Sequence, residues 1–410
     1  MSLEKVHTLV VGGGQAGLAM SEHLSNCQVQ HVVLERHRIA ERWRSERWDS
    51  LMANGPAWHD RFPTKEFSGV HPDAFASKHE VVSYFEEFAE QIQTPLRCNV
   101  EVKSVKPSSK GSGFLVETSG GAFEATNLVA ATGPFQRPLV PPLIPEGAGV
   151  MQMHSSVYRN PEQLPAGAVL VVGAGSSGGQ IADELLQSGR VVYLSVGPHD
   201  RPPRRYRGRD YVWWLGVLGK WATKAADPST AHVTISVSGA NGGRTVDFRD
   251  FAERGMTLVG MTSHFDDGVL HFAPDLAENI ALGDQNYLSL LKEADAYVAS
   301  NALELPLEAD AHVIGPMLPC PQMQLDQIDL AGADVSSVIW ATGYTLDFGW
   351  LGLDVFDAKG RPQHERGVCA VPGAYFLGLP FLSQRGSSFI WGVWQDAKYL
   401  AEHIAARSLG

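Results

Sequence analysis

Paired cysteines are missing from this chain: its four, Cys27, Cys98, Cys320 and Cys369, lie far apart and form no C-x-x-C. That spacing encodes neither a dithiol redox pair nor a zinc ribbon, and it suits a reducing cytoplasm. Positive charge is scarce too. Lys and Arg number 33 against 45 Asp and Glu, a formal net charge of −12, which argues against nucleic acid or an anionic membrane as the main partner. No apolar run approaches the ~20 residues needed to span a bilayer. The start, MSLEKVHTLVVGGG, has one basic residue ahead of an apolar stretch and no small-residue cleavage site, so it is expected to be mature protein. The 15 histidines include no H-E-x-x-H or other ligand spacing, and no metal is expected. Nothing around Ser155-Ser156, beside His154, marks a nucleophile elbow.

What is present is a chain of 410 residues, 44% hydrophobic and 19% charged, enough for two or three globular domains at ~150 residues each. Val6 to Val11 reads as a strand, GGGQAG breaks it, Leu18 to Leu24 continues with helical spacing, and His31 to Glu35 is a second strand ending in an acid. The same order recurs in Val169–Val172, GAGSSGG, Ile181–Leu186 and Val191–Ser195. Between the two units, Val81, Phe85, Phe88 and Ile92 share one helical face, and Arg97–Glu117 followed by Gly121–Val129 alternates like antiparallel strands. Pro134–Pro145 is a proline-rich connector. Leu276–Leu303 reads as one or two helices, and Val335–Ala341 as a final apolar strand. The expected fold is α/β, with two Rossmann-like dinucleotide-binding domains, the second inserted into the first: residues 1–150 and 335–410 form one, residues 151–334 the other.

Each glycine of Gly12-x-Gly14-x-x-Gly17 has a physical task. Gly12 permits the tight turn, Gly14 lets a pyrophosphate approach the backbone, and Gly17 allows close helix packing. Gln15 and Ala16 open the helix, whose N-terminus offers unpaired N–H groups and partial positive charge to phosphate. Glu35, 23 residues after Gly12, can accept both ribose hydroxyls. The second loop, Gly173-x-Gly175-x-x-Gly178 with Ser176 and Ser177, is followed by a strand ending at Ser195 rather than at an acid, which removes an obstacle to a 2′-phosphate. Arg201, Arg204, Arg205, Arg207 and Arg209 are candidate phosphate partners, with Arg204 and Arg205 foremost. A solvated basic loop is the alternative. Two such sites, one at the extreme N-terminus, point to FAD plus a nicotinamide cofactor, NADP or NAD.

Beyond these loops, LVAATGPFQRP (128–138), GAGSSGGQIADEL, WATGYTLDFGW (340–350) and GVWQDA (392–397) complete a pattern that resembles the class B flavin-dependent monooxygenases, a family including flavin-containing, YUCCA-like and Baeyer–Villiger enzymes. The resemblance spans nearly the whole chain. It implies that nicotinamide hydride reduces FAD and that a C4a-(hydro)peroxyflavin passes oxygen from O2 to a small organic substrate, in a site that excludes water. Thr132-Gly133 and Ala341-Thr342-Gly343 fall where that family's chain passes between its nucleotide domains. Asn54, in Leu51-Met52-Ala53-Asn54-Gly55-Pro56, matches the asparagine that reaches the flavin's oxygen-bearing edge, where it could hydrogen-bond the bound oxygen without supplying a proton. The plainer reading is a turn residue before Gly-Pro. Glu35-Arg36 and Arg42-Trp43 resemble the family's stretch around FAD, although Glu41-Arg42 replaces the usual Gly-Gly.

The segment MHSSVY, residues 153–158, matches only the histidine end of the family's signature, and His154 is expected to be a hydrogen-bonding hinge residue. Arg159 after Tyr158, where Baeyer–Villiger enzymes continue with Trp and then Pro or Asp, favours N- or S-oxidation or YUCCA-like oxidation of a carbonyl compound. Trp213, Trp214, Phe389, Trp391 and Trp394 could wall an apolar pocket, although aromatic residues so spaced are commonly core. Competing readings are an NAD(P)H oxidase, a pyridine nucleotide–disulfide oxidoreductase, and a non-catalytic dinucleotide-binding protein. A cytoplasmic protein is expected, with a homodimer admitted.

Overall fold

The computed structural model describes residues 3–109, 113–224, 234–316 and 325–408; Cys320 lies outside them. The first apolar run forms the strand Leu3–Val11, whose last four residues are buried. It lies inside a sheet ordered Leu96–Arg97, His31–Leu34, Leu3–Val11, Gly121–Ala130, Phe114–Thr118 and Val102–Pro107. The first four strands are parallel and the last two turn antiparallel. Ala374–Phe376 joins Gly121–Ala130 in parallel, past the stretch that pairs with Phe114–Thr118. Val11 pairs with Leu34 on one side and Ala130 on the other. That register brings Gly12, Glu35 and Ala131 to the carboxyl edge of the sheet, where doubly wound folds bind ligands.

Helix Gln15–Asn26 packs on the C-terminal helix Ile390–Ser408. Helix Lys78–Gln91 starts with a capping box between Ser77 and Glu80 and buries Val81, Phe85 and Phe88, with Ile92 as its C-cap. Leu276–Ser300 is a single helix. No helix among the described residues is long and apolar enough to cross a membrane.

The second sheet is wholly parallel, in the order Thr257–Val259, Val192–Ser195, Ala168–Val172, Val335–Trp340 and Met151–His154. Val335–Trp340 is thus a central strand of the second body, and the boundary expected at 334/335 has to move past Trp340. An apolar run announces a buried strand; it does not say which sheet will accept it. The two crossings of the chain between bodies pair with each other as a short antiparallel ribbon, Arg137–Pro138 against Tyr344–Thr345. The bodies also share apolar packing: Trp48 and Leu51, on the approach to Asn54, are buried in the core built around the second sheet.

Candidate active site

The two glycine loops have the same skeleton. Gly12 and Gly173 both have φ +116°, a left-handed conformation that L side chains rarely adopt. A Cβ on Gly12 would lie 2.5 Å from the Ala131 carbonyl oxygen, and one on Gly173 would lie 2.6 Å from that of Ala341. The two Ala-Thr-Gly segments therefore serve their loops identically, each closing over the first glycine. A Cβ on Gly17 would overlap the Gly12 carbonyl, as one on Gly178 would overlap that of Gly173. Gly14 and Gly175 are N-caps in extended conformation, and no side chain caps either helix. Their first-turn N–H groups remain available to an anion.

What surrounds the middle glycines differs. A Cβ on Gly14 would meet nothing within 4 Å, so the first cradle has room for a pyrophosphate and fits FAD. Glu35 supports this loop by accepting from Gly13 N at 2.8 Å and from His37 N at 2.9 Å, which leaves its remaining lone pairs for a ribose. Gln15 Nε2 donates to the Ser388 carbonyl at 2.6 Å, and Ala16 packs beneath Gly378. At Gly175, by contrast, a Cβ would lie 3.2 Å from Thr234 Cγ2. Ser176 Oγ donates to the Ile235 carbonyl at 2.8 Å, and Ser236 Oγ donates to the Ala174 carbonyl. Residues 234–236 lie across the second loop, so its glycines fit a dinucleotide only once that segment shifts. Ser177 is half-buried in the first turn, and Ser195 is buried with its hydroxyl on the Gly260 carbonyl at 2.8 Å.

Between the loops stands the turn that carries Asn54. Asp60 closes it: Oδ2 accepts from Gly55 N at 2.9 Å and Oδ1 lies 2.7 Å from His59 Nδ1. The Asn54 carbonyl accepts from Arg204 Nη1 at 2.6 Å, and Asn54 Oδ1 accepts from Gln180 Nε2 at 2.8 Å. His59 packs against Trp221 and Trp391, with ring centroids 5.6 and 5.3 Å away. Trp391 lies one short stretch, Phe389-Ile390, beyond Ser388, the residue that holds Gln15. Contacts and short stretches of chain thus link the first glycine loop through Ser388, Trp391, His59, Asp60 and Gly55 to Asn54, Gln180 and the second loop. Beside Ile235 lies a cleft lined also by Asp200, Lys220, Glu293 and Arg385, in which burial raises the Asp200 carboxyl above its ordinary range.

The arginines need correction. Arg204 is 3% exposed and forms a two-point pair with Asp210, Nη2–Oδ1 2.5 Å and Nε–Oδ2 3.0 Å, between the rings of Phe75 and Tyr211. It cannot also serve a 2′-phosphate without leaving Asp210 buried and unpaired. Arg201 pairs with Asp284 and Asp247, and Arg207 with Asp295. Arg205 is exposed, with one long bond to the Gly242 carbonyl at 3.3 Å, and keeps its charge accessible. Arg36 is exposed. Arg42 is half-buried, pairs with Glu46 and donates to the Gln136 carbonyl at 3.2 Å, while Trp43 packs against the cores of both bodies. Gln136 Nε2 ties Thr132 Oγ1 and the Gly133 carbonyl together at 2.9 and 2.7 Å. Thr342 Oγ1 donates to the Leu139 carbonyl at 2.5 Å.

His154 is buried at the end of its strand. Nε2 donates to the Gly343 carbonyl at 2.9 Å, and Nδ1 accepts from Ser156 N at 3.1 Å, a neutral tautomer in keeping with a pKa lowered by burial. It pins the returning chain where the bodies join. Trp214 is buried core, and Trp394 donates to Glu22 at 2.6 Å; of the aromatic residues singled out, Phe389 and Trp391 flank Trp221 near His59. Gln180, His59, Asp60 and Asp210 carried no sequence signal beyond lying inside or near the quoted motifs.

Two strand–glycine-loop–helix units with a polar turn between them define a fold of two dinucleotide-binding domains. The family model described as pyridine nucleotide-disulphide oxidoreductase matches residues 9–215, half of the chain. An uncharacterised CzcO-like oxidoreductase of Geobacillus kaustophilus is 34% identical over 403 residues, covering 97% of this chain and 98% of that one. A probable indole-3-pyruvate monooxygenase of the YUCCA type from Arabidopsis thaliana is 31% identical over 192 residues, 46% of each chain. The flavin-containing monooxygenase from Stenotrophomonas maltophilia shares the fold, with a TM-score of 0.68 at 18% identity over 99% of this chain and 100% of that one. The chain belongs to the pyridine nucleotide-disulphide oxidoreductase family, of the flavin-monooxygenase type that its motifs resemble, and is an oxidoreductase.

Proposed function

We propose that this protein is an FAD-containing, NAD(P)H-dependent monooxygenase that oxygenates a small organic compound at nitrogen, sulfur or a carbonyl carbon. FAD belongs to the loop at Gly12–Gly17, and NADP or NAD to the loop at Gly173–Gly178. Bound FAD supplies the redox chemistry, taking hydride from the nicotinamide and reacting with O2. The observation that carries the reading is the placement of Asn54 on a turn sealed by Asp60, bonded to Gln180 behind the second glycine loop and linked through His59, Trp391 and Ser388 to the first. There its amide can donate to oxygen at the flavin edge without giving up a proton. The apolar wall of Trp221, Phe389 and Trp391 keeps water from that edge. The thiols give the disulfide reading no support: among the described residues Cys27, Cys98 and Cys369 are free, and burial pushes Cys369 up to about 12, far from a reactive thiolate.

The test is Asn54→Ala. Flavin content and hydride transfer should stay near native, because neither needs the side-chain donor. Hydrogen peroxide formed per NAD(P)H oxidised should rise, since a lost charge-assisted bond of ~1.5–3 kcal/mol shortens the lifetime of activated oxygen roughly ten- to a hundredfold. Native coupling in this variant would reduce Asn54 to a turn residue, and stoichiometric peroxide from the wild type with every small amine, sulfide or ketone tried would make the protein an oxidase.

A further inference from the structure

An asparagine amide offers a donor at one end and an acceptor at the other, so its use depends on what prevents it from turning over. Gln180 lies on the helix Ser176–Gln187, five residues beyond Gly175, and is buried. Its Nε2 donates to Asn54 Oδ1 at 2.8 Å and to the Val237 carbonyl at 3.0 Å. Both hydrogens of that amide are engaged. Turning Gln180 would set its own carbonyl against that of Val237; turning Asn54 would set two NH2 groups against each other. Each amide therefore locks the other. The Asn54 main chain is held separately by Arg204, which also donates to the Ser238 carbonyl at 3.4 Å. Asn54 Nδ2 donates to no group among the described residues.

We propose that Gln180 is a positioning residue: by holding Asn54 Oδ1 it leaves Nδ2 as the outward end, so that Asn54 presents a donor and never an acceptor to whatever is bound between the bodies. The assignment rests on the reading of Asn54 given above. It also makes the orientation of Asn54 depend on the helix that follows the second glycine loop, and on Val237 in the segment that crosses that loop. A glutamate at position 180 keeps the length but only accepts; it pulls Asn54 Nδ2 inward, turns Oδ1 outward and opposes the Val237 carbonyl. Methionine there removes the donor without reversing the amide.

The experiment compares Gln180→Glu, Gln180→Met, Asn54→Ala and Asn54→Ala/Gln180→Glu in the full chain, with and without added FAD. The first readout is the side-chain amide signal of Asn54 by 15N NMR, identified by its disappearance in Asn54→Ala. The second is peroxide per NAD(P)H oxidised. In Gln180→Glu the Asn54 signal should move downfield even without FAD, as Nδ2 begins to donate to a carboxylate. Peroxide should rise about tenfold, the effect of one lost bond to a charged oxygen. Adding Gln180→Glu to Asn54→Ala should change peroxide no further, and Gln180→Met, a conservative fallback if the glutamate impairs folding, should shift the signal less and raise peroxide less. An unmoved Asn54 signal, or peroxide effects of the two sites that multiply, would overturn the role of Gln180. Native peroxide in Asn54→Ala would overturn the function assigned to Asn54 instead, with the NMR signal still reporting on the lock.

Discussion

Replacing Gly14 with valine separates the fold of the first loop from its use. Gly14 has φ −91° and ψ −166°, extended backbone that a β-branched residue adopts without strain, and a Cβ there meets nothing within 4 Å. The cost to the protein is that of exchanging glycine for an aliphatic residue at an N-cap, about 1 kcal/mol. The cost to a ligand is larger. Two methyl groups stand where a pyrophosphate must approach the first-turn N–H groups, and losing two charge-assisted bonds at ~1.5 kcal/mol or more each weakens FAD by at least ~100-fold. Gly17→Ala is the contrasting control, because its methyl overlaps the backbone oxygen of Gly12, which cannot swing aside. The assay is thermal unfolding with and without FAD, together with flavin absorbance per chain after purification. Gly14→Val should melt like the flavin-free wild type and lose the stabilisation that FAD adds by mass action; Gly17→Ala should melt lower in both conditions. A folded Gly14→Val protein that retains its full complement of FAD would refute the assignment of this loop.

Other outcomes follow from the same geometry. Arg204→Ala should destabilise the protein by about 3–5 kcal/mol, because it strands Asp210 in the interior, and a denaturation midpoint unchanged from the wild type would contradict the pairing. Arg205→Ala should leave the midpoint alone and raise the KM for NADPH about tenfold relative to that for NADH, as one lost phosphate contact implies; equal changes for both cofactors would remove Arg205 from the 2′-phosphate site. Burial lowers His23 from 6.5 to about 4, so below pH 6.5 the unfolded chain takes up a proton that the folded chain refuses. Stability therefore falls as pH drops from 7 to 5, by about 2 kcal/mol through this residue. Urea unfolding of His23→Phe should lose that much less over the same interval, and an identical pH slope would show that the ring is not held neutral.

Sequence and structure agree where local sterics decide and part where distant partners do. Gly12 and Gly17 could be recognised because strand, turn and helix leave them only one conformation and no room for a side chain. The same holds for Val81, Phe85 and Phe88, whose spacing alone puts them on one face. Arg204 could not be read: whether an arginine is free or buried depends on Asp210 turning back beneath it and on Phe75, which is far away in sequence. Nor could the link between Asn54 and Gln180, 126 residues apart, because neither position is special until the two bodies meet. The strand Val335–Trp340 was visible as an apolar run, but its neighbours Ala168–Val172 and Met151–His154 are set by topology.

The two cradles, alike in the glycines of G-x-G-x-x-G, differ in tenure. Under the proposed function, FAD entering the first would meet no side chain capping its helix and no atom against Gly14, and would stay as a resident cofactor. One entering the second must evict residues 234–236, which already occupy its threshold through the bonds of Ser176 and Ser236. At ~0.5–1.5 kcal/mol per bond, that rivalry divides the apparent affinity by roughly five- to 150-fold. A nicotinamide cofactor that leaves after each turnover, as the proposed function requires, would suit a loop held in this way. Two loops of one skeleton are thus set apart by a few residues of neighbouring chain, which cross the second and leave the first open.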